Sequence, residues 1–292
     1  MAEASALERL LRRDRLIVAA SLAALAALAW VYLLTGAGMG AGAWEMTRLS
    51  LFPHRLALSP ATGMGAMTVD GMSMGDMPMQ AGSPEWSPQT WLLAVAMWST
   101  MMVAMMAPSA APMILLYAKV RRHALGQGRD AGGLAPNAVF AAGYLIVWLA
   151  FSLAAASLQG ALEASTLVSA TLMSSASRWL SAGVLIAAGL YQFSPLKTLC
   201  LTQCRAPAGF LSRHWRPGAA GALRLGILHG AYCLGCCWAL MALLFVGGVM
   251  NLAWIAALAL LVTAEKLLPA GPWVARVAGA LLVAWGLATT FA

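Results

Sequence analysis

The residues best suited to chemistry are one histidine and three cysteines close together in the chain, His229, Cys233, Cys236 and Cys237. At the helical period of about 3.6 residues per turn, His229, Cys233 and Cys236 share one narrow face and Cys237 lies at its edge. Thiolate and imidazole groups suit soft or borderline metals such as Cu(I) and Zn(II). The spacing therefore predicts that a single helix presents up to four metal ligands to one partner.

The alternative for this cluster is plain packing. Buried cysteine behaves as a small hydrophobe, and a histidine can hydrogen-bond to a neighbouring carbonyl. An imidazole inside an apolar segment nevertheless needs a reason, and three thiols accompany His229 within a few turns of the same segment. We therefore favour a metal site over packing alone.

Two sets of methionines could add further soft ligands. In one apolar segment Met97, Met101 and Met105 repeat every four residues, with Met102 and Met106 in a neighbouring stripe. Methionines in a helix usually fill space, so this set fits packing and binding equally well. The second set lies in a polar stretch, where core packing does not explain methionines. Their thioethers could capture Cu(I), and the alternative is a composition that drifted without a function. The methionines of this second set are Met64, Met67, Met72, Met74, Met77 and Met79.

Two smaller features lie near the ends of apolar segments. Cys200 and Cys204 are spaced for neighbouring turns of a helix but not for a familiar zinc finger. The five cysteines are an odd number, so a complete disulfide framework is excluded. Glu265 could relay protons, but we expect it to form a local ion pair with the adjacent Lys266.

These residues must be positioned by helices that cross a membrane. Of the 292 residues, 61% are hydrophobic and 10% are charged, which excludes a soluble globular protein. The net charge of +8 does not indicate a nucleic-acid partner, because the basic residues fall in short runs between apolar segments. The unpaired backbone of any other structure is too costly in lipid, so each apolar segment is predicted to be a helix. We predict an all-α polytopic bundle of about seven spans, at 16–34, 91–118, 139–158, 172–191, 225–249, 252–268 and 273–291.

The basic residues also predict the orientation of the chain. With seven spans and a cytoplasmic N-terminus, every Lys and Arg except Arg48, Arg55 and Arg178 lies on the cytoplasmic side. We expect Arg178 to snorkel to the outer interface, and Pro108 and Pro112 to kink or break the second span. The predicted organisation is an N-terminal anchor helix at 1–34, an extracytoplasmic Met-rich flexible loop at 35–90, and a six-helix membrane domain at 91–292.

Several of these motifs are similar to those of a bacterial family of predicted metal-binding integral membrane proteins. The resemblance covers roughly residues 91–270 and does not include the Met-rich loop. It implies a multi-spanning helical fold and a metal site on His229, Cys233, Cys236 and Cys237, but neither the metal nor a reaction. We expect the protein to lie in the bacterial inner membrane. The matching positions are Trp98, Met102, residues 104–108, Pro112, the 229–241 segment with the pattern HGxYCxGCCWxLM, Glu265 and Lys266.

The combined pattern predicts a membrane protein that handles copper, as a transporter or a chaperone-like relay. Methionines outside the membrane would collect Cu(I), and the membrane thiols would receive it. The sequence has no ATP-binding P-loop and no phosphorylated-Asp transport motif, so a gradient or a partner would drive any transport. The expected partners are the lipid bilayer and a metal-delivery protein on one side of the membrane.

Other functions stay open at this point. Cys233 and Cys236 have the two-residue gap of redox pairs, which fits a membrane thiol-disulfide oxidoreductase. Against that function, the sequence shows no thioredoxin-like βαβ pattern, and Cys237 and the methionine stripes gain no purpose. Zn(II) at the cysteine cluster, haem ligation by His229 with a methionine, and a purely structural role are further alternatives.

Overall fold

The fold comes from a computed structural model that describes residues 2–37, 47, 86–127, 135–169 and 173–291. Apart from an isolated bridge between Val168 and Ser175, the regular structure in these ranges is helical, so the all-α prediction is confirmed. The helices are α1 (Ala2–Leu34), α2 (Pro88–Gly126), α3 (Ala135–Ala164), α4 (Arg178–Gln192), α5 (Pro195–Arg205), α6 (Pro207–His214), α7 (Gly218–Ala242), α8 (Leu244–Gly247), α9 (Leu252–Leu267) and α10 (Gly271–Phe291).

The second predicted span corresponds to α2, which is 39 residues long. Ser87 caps its start by accepting a hydrogen bond from the Thr90 backbone N–H at 3.2 Å, and Pro88 occupies the first turn, where no backbone donor is needed. The helix continues through Pro108 and Pro112, so the break that we considered there does not occur. At about 1.5 Å per residue, α2 exceeds the roughly 30 Å of a hydrocarbon core.

The fourth predicted span differs most from the structure. Its predicted start at residue 172 is wrong, because α4 begins at Arg178, where Ser177 accepts a hydrogen bond from the Leu180 backbone N–H at 3.4 Å. The helix then stops before Ser194, which caps α5 with Pro195 in its first turn. The axes of α4 and α5 differ by 61°, so this segment is a bent pair of helices.

Among the described residues, five helical segments are long and apolar enough to cross a membrane, and the bent pair α4–α5 would make a sixth if it forms one span. Helix α9 has 16 residues and is shorter than these segments. The structure therefore fits a polytopic helical bundle, and a count of seven requires both the bent pair and α9 to cross. The five segments are Leu16–Leu34, Pro88–Gly126, Asn137–Ala164, Gly218–Gly247 and Gly271–Phe291.

Helices α3 and α7 pack closely along each other, as do α4 and α10, and α1 and α2. Glycines set the distance between α3 and α7. A Cβ atom at Gly226 would collide with the carbonyl oxygen of Phe140, and one at Gly143 would lie 2.5 Å from the carbonyl oxygen of Leu223. Small residues commonly allow such close contact between helices in membranes. This approach brings side chains of α3 within reach of the cysteines on α7.

Candidate metal centre

The three cysteines of α7 are buried and point to the same side of the helix. Cys233, Cys236 and Cys237 are each 1% exposed. The thiols of Cys236 and Cys237 both donate to the backbone carbonyl of Cys233, at 3.1 and 2.9 Å. Because both thiols share one acceptor, their sulfur atoms lie close together in the interior of the protein.

Helix α2 brings a thioether to this cluster. The sulfur of Met106 lies 3.9 Å from the sulfur of Cys237. Met106 thus connects the methionine stripes of α2 to the thiols of α7. The five methionines of those stripes are fully buried: Met97, Met101, Met102, Met105 and Met106.

Cys233 has two further partners that sequence reasoning missed. The Tyr144 hydroxyl on α3 lies 3.2 Å from its sulfur, and the ammonium of Lys266 on α9 donates to it at 2.9 Å. Lys266 also donates to the Ser109 hydroxyl on α2 at 3.2 Å. A lysine inside an apolar segment is itself a functional signal, and that signal could have drawn attention to Lys266.

The expected ion pair between Glu265 and Lys266 does not form. Instead Glu265 pairs with Lys197 on α5 at 2.6 Å and accepts a hydrogen bond from the Gln192 amide at 3.0 Å. Successive residues of a helix point about 100° apart, so neighbours in the sequence face different helices. Glu265 therefore faces α4 and α5, while Lys266 faces α2 and α7.

His229 lies one turn before Cys233 and is 4% exposed. Its ring is stacked against that of Tyr144, with centroids 5.6 Å apart and an interplanar angle of 27°. The rings of Phe140 and Phe210 lie 6.2 and 5.8 Å away. Tyr144 contacts both His229 and Cys233, so the imidazole belongs to the surroundings of the cluster and is packed among aromatic rings.

The cysteines of α5 approach the same cluster. The Cys204 side chain interacts with that of Cys236, and Cys236 and Cys233 each interact with Cys237. The sulfur of Cys200 lies against Gly235 of α7, where an added Cβ would be 2.7 Å from it. No distance between α5 and α7 could be predicted from the sequence, whereas in the structure Cys200 packs against α7 and Cys204 interacts with Cys236.

The sulfurs interact in neighbouring pairs, which we call the row of sulfur atoms: Met106 with Cys237, Cys237 with Cys236, and Cys236 with Cys204. Within the described ranges, no three or more His, Cys, Asp or Glu side chains converge in a way that could hold a metal ion. All five cysteines are free thiols. The candidate ligands of the Met-rich loop lie outside the described residues: Met64, Met67, Met72, Met74, Met77 and Met79.

Comparison with known proteins identifies a family for this arrangement. The model of the PpoB2 family, described as a copper chaperone, matches residues 95–289. No curated protein and no solved structure matches the chain. The matched region is more than half of the chain and includes the thiols of α5 and α7, Met106 and Lys266. This match confirms a metal-handling family and identifies its metal as copper. The chain belongs to the PpoB2 copper chaperone family.

Proposed function

We propose that this chain binds Cu(I) as its cargo between α2 and α7 and passes the ion along its row of sulfur atoms. The observation that carries the proposal is the 3.9 Å contact between the sulfurs of Cys237 and Met106 in the buried core. Thiolate and thioether are the protein ligands that select Cu(I). The copper cargo of the family supports the same assignment.

The arrangement of the sulfurs favours Cu(I) over Zn(II). A structural zinc site uses four ligands in a tetrahedron, whereas no such convergence occurs within the described ranges. Cu(I) is satisfied by two or three soft ligands, which Cys237 and Met106 can supply together with Cys233, whose side chain interacts with that of Cys237. The Cys236 and Cys237 thiols donate to the Cys233 carbonyl, and a thiol is a weak donor. Binding therefore requires only that these thiols deprotonate and turn away from that carbonyl.

Neighbouring pairs of sulfurs also provide a route for the ion. From Met106 and Cys237, the next thiol is Cys236, and Cys236 interacts with Cys204 on α5. Each step lets a new Cu–S bond form before the previous one breaks. Cys204 is half-buried, whereas the three cysteines of α7 are buried. We assign Cys204 as the point where the ion reaches another carrier, with Cys200 beside it.

The proposed setting is the bacterial inner membrane, with the N-terminus in the cytoplasm. In this orientation α5 lies at the cytoplasmic end of the bundle, and the Met-rich loop lies on the opposite side. The loop methionines then collect Cu(I) outside, and a metal-delivery protein supplies or accepts the ion. The methionine stripes of α2 connect the two ends. His229 is not a ligand in this proposal. Its ring stacks against Tyr144 and so helps to hold the Tyr144 hydroxyl beside the sulfur of Cys233.

The test is elemental analysis of the full-length protein, purified in detergent without oxygen after growth with copper. The wild type is compared with a variant that carries Cys233→Ser, Cys236→Ser and Cys237→Ser. A Met250→Leu variant is the matched control, because Met250 is a fully buried sulfur outside the proposed site. We expect near-stoichiometric copper in the wild type and the control, and its loss in the triple variant.

Other outcomes point to other functions. Zinc in place of copper would indicate a structural site at the cysteines. If the wild type holds no metal but has a reducible disulfide between Cys233 and Cys236, the copper proposal fails. A thiol-disulfide oxidoreductase would then replace it.

A further inference from the structure

Lys266 is a buried cation with unusual partners. It is 6% exposed, and its ammonium donates to the sulfur of Cys233 and to the hydroxyl of Ser109. The adjacent carboxylate of Glu265 is held by Lys197 and Gln192 instead. In the part of the chain that the structure describes, no carboxylate lies within ion-pair distance of the Lys266 ammonium. Burial of a charge is costly unless it is well partnered, so this placement calls for a reason.

The ammonium lies directly against one of the candidate ligand sulfurs, that of Cys233. It donates a hydrogen bond to the sulfur of Cys233 at 2.9 Å, and this bond draws electron density from a sulfur that would otherwise bind a soft metal. An ammonium and Cu(I) each carry one positive charge. Two like charges against one buried sulfur repel each other strongly at low dielectric. The ammonium therefore weakens the binding of Cu(I) to Cys233.

We propose that Lys266 is a displaceable cation that holds Cys233 in the copper-free state and competes with Cu(I) for its sulfur. The inference rests on the proposed function and adds the residue that governs release of the cargo. When Cu(I) arrives, the Cu–S bond forms, the hydrogen bond from Lys266 to the sulfur breaks, and any proton on the thiol passes to solvent. No electron is transferred, so copper remains Cu(I).

Ser109 gives the displaced ammonium an alternative partner. Its hydroxyl lies 3.2 Å from the Lys266 ammonium and itself donates to the Met106 carbonyl at 3.0 Å. Lys266 can thus give up Cys233 while it keeps one hydrogen bond inside the core. Return of the ammonium to Cys233 then helps the ion to leave, which a chaperone needs in order to pass on its cargo.

Variants at position 266 test this role in the full-length protein in detergent. Lys266→Leu removes the charge and cannot bind copper, whereas Lys266→Arg retains the charge. Each protein is loaded with Cu(I) without oxygen and titrated with bathocuproine disulfonate, which competes for the ion. We expect Lys266→Leu to hold Cu(I) about tenfold more tightly than the wild type, equivalent to about 1.4 kcal/mol. Lys266→Arg should stay close to the wild type.

Ser109→Ala provides an independent arm with the opposite sign. It removes the alternative partner of the ammonium but leaves the charge in place, so we expect Cu(I) to bind more weakly than in the wild type. A merely structural Lys266 would not produce opposite changes in the two variants. Elution volume and thermal unfolding check that each variant is folded, and Lys266→Gln takes the place of Lys266→Leu if the latter fails to fold.

Equal or weaker binding in the folded Lys266→Leu variant would overturn the competition between the two cations. Weaker binding would mean that the ammonium stabilises bound copper, and equal binding that it does not affect the affinity for copper. The wild-type titration tests the proposed function separately, because a wild type that binds no Cu(I) refutes the copper site itself. The ratio of the Cu(I) affinities of variant and wild type tests only the role of Lys266.

Discussion

The thioether sulfur of Met106 lies 3.9 Å from the thiol sulfur of Cys237, although 131 residues separate them in the chain. This contact joins the methionine stripes of α2 to the cysteines of α7. It places two sequence motifs that each had a packing explanation side by side as candidate ligands. Substitutions on either side of the contact can therefore separate packing from metal binding.

Met106→Leu should weaken Cu(I) binding by about tenfold, because it removes one soft ligand from the pair. Leucine has nearly the same volume as methionine, so the free energy of unfolding should fall by less than about 1.5 kcal/mol. Competition titration with a Cu(I) chelator measures the affinity. Met250→Leu, the control used above, should bind Cu(I) like the wild type. Equal affinities in the two variants would return Met106 to a packing role.

Cys204→Ser should slow the release of copper without changing the amount bound. The Cys237 and Met106 pair remains, but the ion loses the half-buried thiol that we propose as its exit. Stopped-flow transfer of Cu(I) to an external chelator measures the rate. Thr202→Ala is the matched control, because Thr202 lies on the same helix and is exposed. An unchanged rate in Cys204→Ser would remove α5 from the route.

Lys197→Met should destabilise the protein by about 3–5 kcal/mol, because it leaves the buried Glu265 carboxylate without its cation. The two side chains are 2% and 1% exposed and lie 2.6 Å apart. Adding Glu265→Leu to the variant should restore much of the loss. Unfolding in mixed detergent micelles measures the stabilities. If the single variant is as stable as the wild type, the pair does not stabilise the contact between α5 and α9.

Gly226→Ala should destabilise the pairing of α3 with α7, because the new Cβ would collide with the carbonyl oxygen of Phe140. Gly183→Ala is the control, since its Cβ would meet nothing within 4 Å and alanine favours a helix by about 1 kcal/mol. The thermal unfolding temperature should therefore fall for Gly226→Ala and stay equal or rise for Gly183→Ala. The reverse order would contradict the close approach of α3 and α7.

Hydrophobicity and helical period were sufficient to predict the fold class and the shared face of the α7 ligand candidates. They predicted the all-α bundle, and they placed His229, Cys233 and Cys236 on one face of a helix, where the structure has them buried in α7. The ends of the helices were predicted less accurately, because a continuous apolar run does not show where one helix stops and the next is capped. Ser177 and the Ser194 and Pro195 pair are helix-start signals in the sequence, and they mark the ends that the apolar run concealed.

Partners across helices were beyond sequence reasoning. The adjacency of Glu265 and Lys266 favoured a local ion pair, but helix geometry turns them toward different neighbours. Their actual partners, Lys197 and Cys233, depend on the 61° bend between α4 and α5 and on the placement of α9. The contact of Tyr144 with Cys233 likewise requires the close packing of α3 on α7, which one sequence does not reveal.

X-ray absorption spectroscopy at the copper edge of the Cu(I)-loaded wild type tests the sulfur site most directly. We expect a first shell made only of sulfur, with the number of sulfur ligands reduced in Met106→Leu and the copper absent from the triple cysteine variant. A first shell that contains nitrogen or oxygen, or one that is unchanged in Met106→Leu, would contradict a copper site between Cys237 and Met106.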